Sequence, residues 1–337
     1  MSSTIEVSSN VDDRASAPSF PRLGMDMITF FNGPFWGYEH FRDLTVPGAV
    51  SPDVFWDRVL DIIGESGIEG VEIAGGFSHY TTALERYGTP DRFASALGDR
   101  GLELCSGFFA GLLLDSDGSR DSDAWERPDR QKDILEEVAA YADFLRAAGS
   151  EIMVMATPMR RTWNVADPQF VDGDYLQRFA SLVNRMGYVA RTRGVRLAIH
   201  PEAHAIFWFR RDIRFLLDLT DPVYVGFCPD TAHITLGGGD PIAVFEDNAE
   251  RVVISHWKDA LGPVSPHVEI DDEISPSHHP FFANVGDGRI DWSGWTRALR
   301  AADYSGWAIL ELDAAPDPGK ALRDARSFVD TELRPLW

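Results

Sequence analysis

The sequence predicts an α/β protein of the (β/α)8 class, a closed parallel TIM barrel, and three observations carry that prediction. Eight short apolar or β-branched runs recur along the 337 residues. Segments with helical spacing separate them. The later runs end in imidazole or carboxylate groups, at the strand ends where a parallel barrel places its chemistry.

Taken in order, the runs are "MDMITF" (25–30), "GVEIAGG" (70–76), "LELCSGFF" (102–109), "EIMVMATP" (151–158), "RLAIHPE" (196–202), "VYVGFCPD" (223–230), "VVISHWKD" (252–259) and "AILELD" (308–313). Each has the length and apolar continuity of a strand buried on both faces. Between them, "DVFWDRVLDIIGESG", "RQKDILEEVAAYADFLRAAG" and "DYLQRFASLVNRMGYVARTRG" space apolar residues three and four apart and end at Gly67, Gly149 and Gly194. Glycine just past a helix accepts the left-handed conformation that closes it. A doubly wound sheet would want a glycine-rich phosphate turn after an early strand. The glycines of "TLGGGDP" (235–241) follow the sixth run and lack that spacing.

Residues 1–20 read as a disordered tail, rich in Ser and Asp, without the basic start or apolar run of a secretory signal. Residues 21–337 read as one barrel domain. No run reaches the roughly 18 apolar residues of a membrane span, and a cytoplasmic protein is expected. Cys105 and Cys228 both sit in apolar runs and read as small hydrophobes. With 53 acidic against 31 basic residues and a net charge of −22, the chain lacks the basic surface that nucleic acid requires.

The late strand ends present His200 and Glu202, then Asp230, then His256, then Glu311. Carboxylates gathered at one mouth need a cation, or one of them takes up a proton. With one or two imidazoles among them, the set suits one divalent ion of borderline hardness: Mn²⁺ first, with Mg²⁺, Co²⁺ or Zn²⁺ also accommodated.

"CPDTAH" (228–233), "SHWKD" (255–259) and the Glu ending "ILELD" resemble the xylose-isomerase-like barrels, which include sugar epimerases and inosose dehydratases. The resemblance covers about residues 22–336 and implies one metal held by groups from the fifth to eighth strands. Asp230, His256 and Glu311 match three of those positions. The fifth strand departs: where many relatives read Glu-Asn-His, this chain reads His200-Pro201-Glu202. Two residues is one strand repeat, so both side chains share a face. Glu202 is expected as the fourth ligand, with His200 kept as general base or substitute ligand. His233 resembles a histidine that contacts substrate or the ligand shell and assists acid transfer. Lys258, with Asp259, resembles a pair supporting the metal-bound His and substrate oxygens. DNA-repair endonucleases share the fold but need histidines near the second and third strands that "LELCSGFFAG" does not supply.

The expected mouth is aromatic: "FFNGPFWGYEHF" (30–41), "RRTWN" (160–164) and "HAIFWFRR" (204–211) follow strands one, four and five. Substrate contacts are expected from Trp36, Glu72, His204, Trp208, Trp257 and Arg289, the last placed by "GDGRIDW" at the end of the long 261–292 segment. That segment is too long for a passive turn. The acidic stretch 113–130 reads as a solvated lid.

Such a site supports proton removal next to a carbonyl, followed by return of the proton or loss of a neighbouring group. The first expectation is a metal-dependent lyase or isomerase acting on a keto-sugar. Its favoured form eliminates an aromatic aglycone from a 3-oxo-glycoside, as the large subunits of bacterial C-glycoside deglycosylases do with a small β-rich partner. Inosose dehydration and ketose 3-epimerisation are the alternatives. A noncatalytic barrel subunit whose aromatic surface binds a partner protein or ligand is the rival of another class, and because aromatics are also enriched at subunit interfaces an oligomer is expected.

Overall fold

A computed structural model of the chain describes residues 19–39, 49–112, 124–161, 163–271 and 273–337. Most of the N-terminal stretch and of the acidic 113–130 segment lies outside these residues. The described chain forms eight barrel strands: β1 (Arg22–Asp26), β2 (Gly70–Ile73), β3 (Glu103–Phe109), β4 (Ile152–Met155), β5 (Arg196–Ile199), β6 (Val225–Phe227), β7 (Ile254–Trp257) and β8 (Trp307–Leu310). All pairings among them are parallel, in the order β6-β5-β4-β3-β2-β1-β8-β7. β6 and β7 meet through two isolated bridges, Phe227 with Val252 and Asp230 with His256. Backbone bonds from Val253 N to Phe227 O (3.1 Å) and from His256 N to Pro229 O (2.9 Å) hold that seam.

Helices cover the strands where the periodicity predicts them, among them Pro52–Ser66, Pro128–Ala147 and Gly173–Arg191. No helix among the described residues is long and apolar enough to cross a membrane. The first strand differs from expectation. It ends at Asp26, whose side chain accepts the Ile28 N–H at 2.8 Å and turns 27–30 into a 3₁₀ helix. Of "MDMITF", only Met25 and Asp26 are strand, and the remainder is turn.

Alternation along the strands sorts the barrel interior into layers. Cys105, Val154, Ala198, Cys228, Ile254 and Ile309 pack as one buried apolar floor, and both cysteines are free and buried. β1 passes this floor at Gly24, where an added Cβ would come within 2.7 Å of Ile309 Cδ1 and 2.9 Å of Cys105 Sγ. One repeat further toward the carboxyl ends, the inward positions turn polar: Asp26, Glu72, His200, Asp230, His256 and Glu311 are all buried. Trp257, one residue past His256, faces the other way, packed with Phe20 and Trp292 and donating its indole N–H to Ser255 Oγ at 3.0 Å.

Candidate active site

Asp230, three residues past β6, caps the helix Thr231–Leu236, accepting the His233 N–H on Oδ1 at 2.7 Å. Its other oxygen, Oδ2, is fully buried and has no hydrogen-bond partner. His200 Nε2 approaches that oxygen to 3.5 Å, His256 Nδ1 to 4.0 Å and Lys258 Nζ to 3.8 Å. Neither ring nitrogen of His200 has a hydrogen-bond partner, and burial lowers its pKa, so the ring is held neutral with free lone-pair capacity. Buried polar atoms without partners are rare in folded proteins and need an explanation.

His256 Nδ1 lies 2.9 Å from Glu311 Oε2, and Nε2 lies 3.0 Å from Glu72 Oε1. Asp26, His256 and Glu311 bring ligand-capable atoms within 4.8 Å of one another, as do His200, Asp230 and His233. Burial, and then the Glu72 and Glu311 carboxylates, push the Asp26 carboxyl well above its usual range. Against burial, Lys258 and His256 hold Glu311 well below its own.

Beside His200 stands a second pair. Glu202 Oε2 is 3.7 Å from His200 Nδ1, and Glu202 Oε1 is 3.6 Å from His233 Nε2. His233 Nδ1 accepts the Ala203 N–H at 3.0 Å, and its Nε2 stands between Glu202 Oε1 and Lys258 Nζ, 3.2 Å from the latter. Burial, then the Lys258 charge, hold His233 neutral. The Glu202 side chain keeps 14% exposure. Burial nevertheless raises its carboxyl to about 8 against the pull of Lys258. The Phe108 ring lies 5.3 Å from His200 and the Phe282 ring 5.2 Å from His233.

At the fifth strand the two candidate ligands stand apart. His200 stands beside Asp230, and Glu202 lies on the far side of the imidazole, next to His233. Lys258, with no side-chain exposure, donates to Glu311 Oε1 (2.5 Å) and Asp313 Oδ1 (3.2 Å), and its Nζ lies 3.2 Å from His233 Nε2. Asp259 faces away and accepts from Trp292 Nε1 (2.6 Å) and the Gly286 and Ile290 N–H groups (3.1 Å each). It fixes "GDGRIDW", and Gly288 must lack a side chain because a Cβ there would meet Asp259 Oδ1 at 2.2 Å.

The expected substrate contacts scatter. Trp208 is buried and donates to His233 O at 2.9 Å, and Trp257 faces the helix layer. His204 is buried, hydrogen-bonded to His278 Nε2 at 2.8 Å and to Ser265 O at 2.9 Å. Trp36 is half-buried against Phe55 and Phe77. Arg289 is exposed, its guanidinium beside Gly262. Glu72 is fully buried behind His256. The sequence reading missed Asp26, Ser106, Phe108, Phe282 and Asp313. Asp313 carried a signal, lying one strand repeat beyond Glu311.

A family profile described as "Xylose isomerase-like TIM barrel" matches residues 60–331. The chain belongs to that family. Among curated relatives of this xylose isomerase-like barrel, an inosose dehydratase of Lacticaseibacillus casei is 26% identical over 287 residues, covering 80% of this chain and 85% of the relative. One from Bacillus velezensis is 23% identical over 290 residues, covering 82% and 88%. The solved structure of the IolI protein with a bound zinc atom superposes with a TM-score of 0.66 at 14% identity, covering 92% of this chain and 97% of its own. An L-ribulose 3-epimerase does so with a TM-score of 0.64 at 15% identity, covering 94% and 96%.

Proposed function

We propose that this barrel is a divalent-metal-dependent lyase that removes a proton next to a carbonyl of a cyclic keto-polyol or keto-sugar and then expels a β-oxygen substituent. One observation carries the reading: the unpartnered, buried atoms of His200 and Asp230 face a Glu202–His233 pair at the same mouth. The residues fit a cation, because two imidazole nitrogens and an aspartate oxygen are left without donors or acceptors. His200, Asp230, His256 and Glu311 would hold it. When bound, a divalent ion polarises the substrate carbonyl and offsets the charge that develops there.

The chain's own groups account for the proton movements. The Glu202 carboxylate takes the proton from the carbon next to the carbonyl, and the C–H pair moves toward the carbonyl oxygen. When that pair returns, the C–O bond at the β-carbon breaks and the proton now held on Glu202 passes to the leaving oxygen, with His233 beside it to orient the transfer, giving water or an alcohol and restoring the Glu202 carboxylate. Phe108 and Phe282 flank the two sides and narrow the access of water. The curated inosose dehydratases support water as the leaving group, with Mn²⁺ the first ion to test.

A second reading keeps the aryl 3-oxo-glycoside. Trp163, Phe170 and Phe281 remain exposed at 43%, 74% and 40%, and Trp163 lies 4.9 Å from His267 of the 261–292 segment, the two rings tilted. This reading carries with it the small β-rich partner subunit. The aromatic argument for it is weaker than the sequence suggested, because Trp208 and Trp257 are occupied inside the fold.

The test is incubation of Mn²⁺-loaded protein with inososes, ketoses and aryl 3-oxo-glycosides, followed by mass and proton-exchange analysis. Loss of water from an inosose is expected. Deuterium uptake without mass loss would mean epimerisation, and release of a phenol would favour the second reading. Asp230→Asn should lose metal and turnover together. Glu202→Gln should keep the ion and lose roughly 10²–10⁴-fold in kcat/KM, the worth of a positioned base. A Glu202→Gln protein that no longer binds the ion would return Glu202 to the ligand set.

A further inference from the structure

Glu72 and Ser106 take no part in the proton movements above, yet both are fully buried at the polar layer. Their meeting depends on an irregularity between β2 and β3. Val71 pairs with Leu104 but Glu72 pairs with Ser106, so Cys105 is an extra residue on β3. A bulge re-aims the side chains around it. Here Cys105 joins the apolar floor while Ser106 turns its hydroxyl to donate to Glu72 Oε2. Glu72 Oε1 then stands 3.0 Å from His256 Nε2, in a bent approach.

A carboxylate in so enclosed a position costs stability unless its oxygens are met. Ser106 donates to one, and the other, Oε1, has no hydrogen-bond partner and stands against His256 Nε2 as a close charge contact. The opposite nitrogen, Nδ1, faces Glu311 Oε2 and Asp230 Oδ2. The two faces of this one imidazole are thereby assigned different work.

We infer that Ser106 and Glu72 are positioning residues that hold His256 with its proton on Nε2 and its Nδ1 lone pair turned to the metal. This rests on the metal reading above. Glu72 touches neither the mouth nor the Glu202–His233 pair, and its expected role as a substrate contact gives way to this one. A carboxylate accepting the far N–H of a ligating histidine fixes the ring and raises its basicity, and loss of such a partner typically weakens metal binding about 10–100-fold.

The experiment uses full-length protein with Glu72→Leu, Glu72→Gln and Ser106→Ala, titrated with Mn²⁺ and read by electron paramagnetic resonance of the free ion. Glu72→Leu should bind about 10–100-fold more weakly. Glu72→Gln, whose amide oxygen still accepts, should recover part of that loss, and Ser106→Ala should show a smaller weakening. In Zn²⁺-loaded, ¹⁵N-histidine-labelled protein the His256 proton should reside on Nε2, and its resonance should move in Ser106→Ala. A His256 proton on Nδ1 overturns the inference, as does unchanged Mn²⁺ affinity in Glu72→Leu. Should the Leu variant fail to fold, unchanged affinity in both Glu72→Gln and Ser106→Ala overturns it equally. Wild-type protein that binds no divalent ion overturns the metal reading itself, an outcome distinct from the others.

Discussion

Lys258 is surrounded by carboxylates and shielded from water. Its ammonium contacts Glu311 and Asp313, lies 4.3 Å from the Phe282 ring centre, and is held charged by Asp313, Glu311 and Asp230 against the cost of burial. Removing one partner of a buried pair leaves the other uncompensated, at about 3–5 kcal/mol. Lys258→Met should therefore lower the urea midpoint by an amount of that order. The loss should shrink when Mn²⁺ is present, because an ion held by Glu311 replaces part of the missing charge. An equal loss with and without the ion would separate Glu311 from the metal. At this scale Asp230, His256 and Glu311 were legible, since alternation along a strand fixes which side chains point inward. The choice between His200 and Glu202 was not. β5 stops at Ile199, so the two-residue repeat no longer governs "HPE", and the Glu202 N–H turns back to Phe207 O at 3.2 Å. Ser106 was hidden for a related reason: a bulge is a property of two strands, and one strand's sequence does not announce it.

The same turn explains why the aromatic loops were misread. "HAIFWF" folds inward, with Ala205, Ile206, Phe207 and Trp208 all buried, so these rings are core even though they belong to a connection. His204 adopts a left-handed φ of 65° there, a conformation that costs most residues energy and His less than most. It pins the 261–292 segment through Ser265 O and His278. Burial lowers the His204 pKa below its usual 6.5. Between that lowered value and 6.5 the unfolded chain binds more protons than the folded one, so stability rises with pH across this window and falls as pH drops through it. Thermal melts at pH 5.5 and 7.5 should differ less in His204→Asn, which tolerates the backbone but cannot titrate. An unchanged difference would place the pH dependence in other histidines. The eight strands and their helices were legible because period and length repeat. The end of β1 was not, because Asp26 stops the strand through a local hydrogen bond inside an apolar run.

At the scale of the whole molecule, the site and the closure of the barrel are the same feature. Seven neighbouring pairs of strands share ladders, whereas β6 and β7 share two isolated bridges, one of them Asp230 with His256. The residues proposed to hold the ion come from the ends of β5, β6, β7 and β8, on both sides of that seam. An ion bound there ties together the strands with the fewest backbone bonds between them and relieves the crowding of Asp26, Glu72, Asp230 and Glu311. A ligand that binds only the folded state stabilises it by about 2.7 kcal/mol at a hundred times its Kd, or a few degrees in Tm for a chain of this size. Stripping the ion with a chelator should lower Tm by that order, and adding Mn²⁺ back should restore it. The Asp230→Asn protein should melt at one temperature whether or not the ion is present. It should also be closer in Tm to the metal-free wild type than the loss of a buried charge pair would suggest, since replacing Asp230 removes one of the repelling carboxylates. Differential scanning calorimetry with and without Mn²⁺ on the two proteins measures both effects, and a wild-type Tm indifferent to the ion would detach the closure of the barrel from its chemistry.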